Sequence, residues 1–141
     1  MAANERKFLI FFMHEQFYAF DLVHVAEVMD PAMSWPIPFA PPCCSDAINF
    51  HGAIVAVMDL AVFLGFASCA KIEKIIVLNA NIASLGFFIE RVVRIVPEQE
   101  IQFNKAPDVR FASALLSLPE GDATLLDIFA IIKEAEILMT E

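Results

Sequence analysis

Glycine is scarce, at four of 141 residues. No glycine-rich phosphate cradle can be built from so few, and neither a GxGxxG fingerprint nor a phosphate loop is present. Bases are also few: nine Lys and Arg stand against eighteen Asp and Glu, for a net charge of −9. Nucleic-acid affinity rests on cations that neutralise phosphates, and attraction to an anionic membrane surface needs the same residues. Both partners are therefore disfavoured. The three cysteines are an odd number, and adjacent Cys43 and Cys44 are not the CxxC of a redox or zinc site. With Cys69 they read as small packing residues in a reducing compartment. No uncharged apolar run approaches the roughly 20 residues of a membrane-spanning helix. The apolar run 8–13 follows Arg6 and Lys7, but it is too short for a signal peptide and leads into His14, Glu15 and Gln16. The chain reads as cytoplasmic. Neither GxSxG nor HExxH occurs, so the sequence predicts no enzyme, no metal and no cofactor.

What the chain has in excess is apolar surface, 59% of residues with fourteen Phe, against a usual share of about 45–50%. Its length suits one domain. The excess points to strands buried on both faces or to surfaces reserved for partners.

The chain also repeats. Displaced by 67 positions, residues 7–29 lie over 74–96 without a gap, and the apolar positions coincide although few identities do. Displaced by 68, residues 57–60 lie over 125–128. The period exceeds the roughly 20–50 residues of solenoid repeats. The reading is a single domain, 1–141, of two related halves at about 8–70 and 71–138, with exchange of strands between them allowed. In each half two apolar runs around a polar break predict a hairpin, 8–13 with 17–20 and 74–78 with 85–89. The spacing then predicts a short helix. Leu22, Val25, Val28 and Met29 would share one face behind Asp21 as N-cap, and Ile89, Val92, Val93 and Val96 repeat the stripe before Pro97.

Later, each half has a strand ending in Asp and then a helix. Residues 53–58 run into Asp59 and a helix at 60–64 closed by Gly65. Residues 123–126 run into Asp127 and a helix at 128–138, with Ile128, Ile131, Ile132 and Ala135 as its apolar face. Both aspartates read as caps rather than as acid–base groups. Residues 31–42 hold five of the eight prolines and predict an extended surface connector packed by Trp35, Ile37 and Phe39. The sum is a mainly β fold, roughly ten short strands in two five-stranded units that close into small barrels.

Within 46–60, Ile48, Asn49, Gly52, Asp59 and Leu60 stand in the order of an apolar-Asn-x-x-Gly turn followed by an apolar strand ending in Asp-Leu. This resembles the signature of the CheW-like domain, and the opening of the first strand, Tyr18, the segment 25–28 and the segment 85–92 resemble it too. The resemblance implies two SH3-like β-barrels packed over a common core, with short helices and a C-terminal helix. It implies a non-enzymatic scaffold in bacterial chemotaxis signal transduction. Such an adaptor bridges the cytoplasmic hairpin of a chemoreceptor (a methyl-accepting chemotaxis protein) and the regulatory domain of a CheA-type histidine kinase. It assigns Val25, Glu27, Val28, His51, Val92 and Ile95 to a receptor groove, and Asn49, Gly52, Asp59 and Asp127 to structural roles.

His51 stands where the family has an Arg that faces the position of Glu27, which makes that pairing protonation-dependent. Asp46 replaces a Gly, and Arg94 stands where the family favours an acidic or small residue. These departures are also compatible with a scaffold of a non-motility chemosensory pathway. Two further readings are a barrel that carries a small apolar ligand on Phe8, Phe11, Phe12, Phe17 and Phe20, and a thiol or metal enzyme using the three cysteines.

Overall fold

The computed structural model describes residues 5–44, 46–67 and 71–140; Cys69 lies outside them. Strands β1 (Lys7–Met13), β2 (Gln16–Asp21), β3 (Val25–Met29), β4 (Ser34–Pro36), β5 (Asp46–Phe50) and β6 (Ala53–Asp59) precede helix α1 (Leu60–Phe63). Strands β7 (Lys74–Leu78), β8 (Leu85–Ile89), β9 (Arg91–Pro97), β10 (Gln102–Asn104), β11 (Ala112–Leu118) and β12 (Gly121–Leu126) precede helix α2 (Ile128–Thr140). They form two six-stranded sheets, β10-β11-β12-β2-β1-β9 and β3-β7-β8-β6-β5-β4, where the sequence suggested five strands each.

The sheets cut across the sequence halves, and they do so reciprocally. The first sheet joins the β1–β2 hairpin to the last four strands. The second joins the β7–β8 hairpin to β3–β6. The two junctions between halves are both parallel and fall at repeat-related positions: Leu125 pairs with Ala19, and Val57 pairs with Gly86.

Alternation along the strands explains the layers. Phe8 and Ile10 face the core of the first sheet, while Leu9 and Phe11 face a cluster shared by both sheets. Their counterparts 67 residues on behave alike: Ile75 and Val77 face the core of the second sheet, and Ile76 and Leu78 face the shared cluster. Phe11, Phe20 and Phe87 are wholly buried in that shared layer, each burial stabilising by about 1.5–3 kcal/mol. Both sheets curl. Strands β10 and β1 are four positions apart, about 19 Å in a flat sheet, yet the rings of Phe103 and Phe8 meet at 5.6 Å. Strands β3 and β5 are equally far apart, and Glu27 nonetheless reaches the turn after β5.

The two helices expected after the hairpins are not there. The first is a single 3-10 turn, Leu22–His24, running into β3, and the second is strand β9. The cause is a bulge. Between Val25 and Glu27 the register against β7 skips Ala26, and between Val92 and Arg94 the register against β1 skips Val93. An inserted residue lets positions three apart share one strand face, which imitates helical spacing. The skipped residues are themselves 67 apart, so the bulge belongs to the repeat.

The connector also differs. Its strand β4 lies on the sheet edge, where proline is tolerated, but Trp35 is 45% exposed and Phe39 fully so. Phe39 also holds a positive φ of 60°. The expected caps are in place. The Asp59 carboxylate accepts from the Val62 amide at 3.2 Å and that of Asp127 from the Ala130 amide at 3.1 Å. Gly65 follows α1 at φ 98°, as a left-handed C-terminal stop requires.

Candidate functional site

Strands β3 and β9 are repeat partners and each is an edge, β3 of the second sheet and β9 of the first. Their registers decide which way the candidate residues point. Val25 and Val28 pair with Leu78 and Ile76, and Val92 and Ile95 pair with Phe11 and Leu9. All four cross-strand neighbours belong to the shared cluster, so these four apolar side chains project toward the same layer. Val25, Val28 and Val92 are half-buried against it, and Ile95 is 49% exposed. Two sheet edges thus leave an incompletely covered apolar row beside the common core.

Glu27 points the other way. It pairs with Val77, which belongs to the separate core of the second sheet. There its Oε1 lies 3.2 Å from Nε2 of His51. The six sequence-predicted groove residues therefore separate into two groups: Val25 and Val28 of β3 with Val92 and Ile95 of β9 toward the shared layer, and the polar pair Glu27 and His51 on the opposite side of β3. Both partners of that pair are exposed, His51 at 72% and Glu27 at 45%. Ion pairs of this kind stabilise by about 0–1 kcal/mol, so the contact marks the closing of the curled sheet more than it holds it.

The Asn49 to Gly52 motif supplies the turn that carries His51. Phe50 pairs with Ala53 across a two-residue loop. Its central residues, His51 and Gly52, have φ of 51° and 88°, as a type I′ turn needs. The Asn49 side-chain oxygen accepts from the Gly52 amide at 2.9 Å, and the Phe50 ring packs edge-on to His51 at 4.4 Å. Asn49 and Gly52 thus shape the turn that presents His51.

Arg94, absent from the candidate residues above, has a definite partner. Its guanidinium donates to both carboxylate oxygens of Glu120 in the β11–β12 turn, at 2.8 and 3.1 Å. This hydrogen bonding holds the Glu120 carboxyl down to about 2. Nothing in the sequence linked 94 to 120, because the contact follows from how the first sheet curls.

Among the described residues no three His, Cys, Asp or Glu side chains gather where a metal could be held. Among the described residues no helix is long and apolar enough to cross a membrane. Four surface clefts among the described residues have volumes of about 210–330 Å³, and the phenylalanines Phe8, Phe11 and Phe20 are packed in the cores.

Comparison with known proteins agrees with this architecture. The CheW-like domain matches residues 7–136. The chemotaxis protein CheW of Thermotoga maritima is 29% identical over 142 residues, covering 96% of this chain and 93% of that protein. A probable chemotaxis protein CheW of Rhizobium etli is 20% identical, covering 94% and 91%. The crystal structure of the scaffolding protein TtCheW from Thermoanaerobacter tengcongensis superposes with a TM-score of 0.73 at 22% identity. It covers 86% of this chain and 88% of that one, a likeness of fold. With the family signature running through both halves of an exchanged two-sheet architecture, the chain belongs to the CheW-like domain family.

Proposed function

We propose that this chain is a non-enzymatic adaptor that couples the cytoplasmic hairpin of a chemoreceptor to the regulatory domain of a CheA-type histidine kinase. The observation that carries the reading is the pair of repeat-related edge strands, β3 and β9, whose Val25, Val28, Val92 and Ile95 flank one apolar layer without being covered by it. An amphipathic helix laid against such a row is an established recognition mode. Membership of the CheW-like family supports the same partners. On this reading the protein works in the cytoplasm, uses no cofactor and exerts its effect by holding two proteins together.

The test is a pull-down with a receptor cytoplasmic fragment, comparing wild type with Val92→Lys and Val28→Lys. Each lysine places a charge in the row at a partly buried site; with circular dichroism verifying that both variants are folded, receptor capture falls. Undiminished capture by both folded variants moves the receptor surface elsewhere. The relation of Glu27 and His51 to that surface is tested by Glu27→Lys, which reverses the charge on the other face of β3.

A further inference from the structure

Cys43 and Cys44 end the 3-10 turn Pro42–Cys44, which packs beside β6 and α1. Side chains of adjacent strand residues point to opposite faces, but here the turn brings the two Sγ atoms to 3.4 Å. Both residues are buried, at 8% and 0% exposure. Cys43 also lines a cleft of about 280 Å³ with the apolar Pro41, Pro42, Val62, Phe63 and Leu138 and with the charged Arg110 and Glu134, which pair with each other at 3.3 Å. Burial, and then the hydrogen bond with Cys43, push the Cys44 thiol up to about 12. Cys44 therefore rests as a neutral thiol.

A direct disulfide suits this geometry poorly. It needs Cα atoms about 4.4–6.8 Å apart, whereas adjacent Cα atoms are about 3.8 Å apart across a trans peptide. A single bridging atom needs no such movement. With bonds of about 2.3 Å, a typical metal–thiolate length, a 3.4 Å gap closes at an angle of about 95°, while a tetrahedral centre wants about 3.8 Å and a linear one about 4.6 Å. An angle near 95° is that of a pyramidal three-coordinate atom.

We propose that Cys43 and Cys44 form a dithiol site for a neutral trivalent organoarsenical, its carbon substituent seated in the cleft against Phe63. The step balances without an oxidant. An organoarsenic oxide, R–As=O, takes both thiols; two As–S bonds form, the arsenic–oxygen bond breaks, and the two S–H protons leave with the oxygen as water. Arsenic remains trivalent and the adduct is uncharged, so no unpaired charge is added beside the buried sulfurs.

The experiment uses the full chain carrying Cys69→Ser, which leaves this pair as its only thiols, treated with phenylarsine oxide under native conditions and read by intact mass. The expected result is one phenylarsenic group per chain, retained in excess 2-mercaptoethanol and removed by 2,3-dimercaptopropanol. Two-point attachment raises affinity by about 10²–10⁴-fold, so Cys43→Ala loses retention by that order. Cys43 is the less buried of the two, and circular dichroism verifies that this variant is folded. Labelling only after unfolding in urea overturns the proposal, as does equal retention by the Cys43→Ala variant. Stoichiometric zinc uptake without arsenical binding overturns the assigned ligand class.

Discussion

Leu125 sits in β12 at one of the two parallel junctions between halves, paired with Ala19 on one side and Ala114 on the other. It is 8% exposed and packs with Phe8, Ile10, Val96 and Leu116 in the core of the first sheet. Leu125→Ala removes three carbons, worth about 2.4 kcal/mol at ~0.8 kcal/mol each. The flanking alanines have no side chain long enough to fill the void, so a cavity term adds to this and places the loss at about 3–4 kcal/mol. That is a large part of the roughly 5–15 kcal/mol that stabilises a domain.

The structure also predicts how the loss is distributed. The chain's one Trp, Trp35, lies on β4 in the other sheet. If the shared cluster and the exchanged hairpins bind the sheets into one cooperative unit, damage in the first sheet must move the Trp35 transition as well. Urea unfolding followed by Trp35 fluorescence and by far-ultraviolet circular dichroism checks this, since two-state unfolding requires the two probes to coincide. The expected outcome is a single transition shifted equally in both signals. A Trp35 midpoint left at its wild-type value while the circular dichroism curve splits refutes the reasoning. A total change below about 0.5 kcal/mol, the range of surface substitutions, removes Leu125 from the core.

Three further outcomes follow from particular contacts. Asp127→Ala loses the carboxylate that accepts from Ala130 at the start of α2 and lowers stability by about 0.5–2 kcal/mol, measured by denaturant titration beside Asp127→Asn, which retains most of it. Glu120 has its folded-state pKa depressed from 4.5 to about 2, so the stabilisation from its pair with Arg94 is present above the ordinary value and is lost as pH falls toward about 2; an NMR titration shows the Glu120 pKa rising toward 4.5 in Arg94→Gln, and an unchanged value uncouples the two. Glu27→Gln and His51→Ala each change stability by less than about 1 kcal/mol, because the pair is exposed; a larger loss in a thermal melt gives the contact a structural weight that its exposure denies.

Much of this was legible from the residues. The hairpins, the strands ending in Asp59 and Asp127, their capping and helix α2 follow from period-two alternation and from the chemistry of short acidic side chains at helix starts. The offset of 67 announced two equivalent halves, but equivalence does not say whether a half pairs with itself or with its twin; only the parallel junctions of Ala19 with Leu125 and of Gly86 with Val57 decide that. The bulges at Ala26 and Val93 hid two strands behind helical spacing, since one extra residue turns a separation of three into a shared face. The connector runs over the surface as its prolines suggest, but the packing expected of Trp35 and Phe39 is not there: one lies on an edge strand and both are exposed. The meeting of Glu27 with His51 came from the family resemblance alone, because residues on strands four positions apart touch only after the sheet curls.

The most direct measurement of the adaptor reading is a bridging assay. A receptor cytoplasmic fragment is immobilised, and retention of the kinase regulatory domain is measured with and without this chain. The account predicts retention that depends on the chain, falls for Val92→Lys, and survives Leu125→Ala at a temperature where that variant stays folded. Retention of the kinase domain to the same extent by wild type, by Val92→Lys and by the receptor fragment without the chain would contradict it.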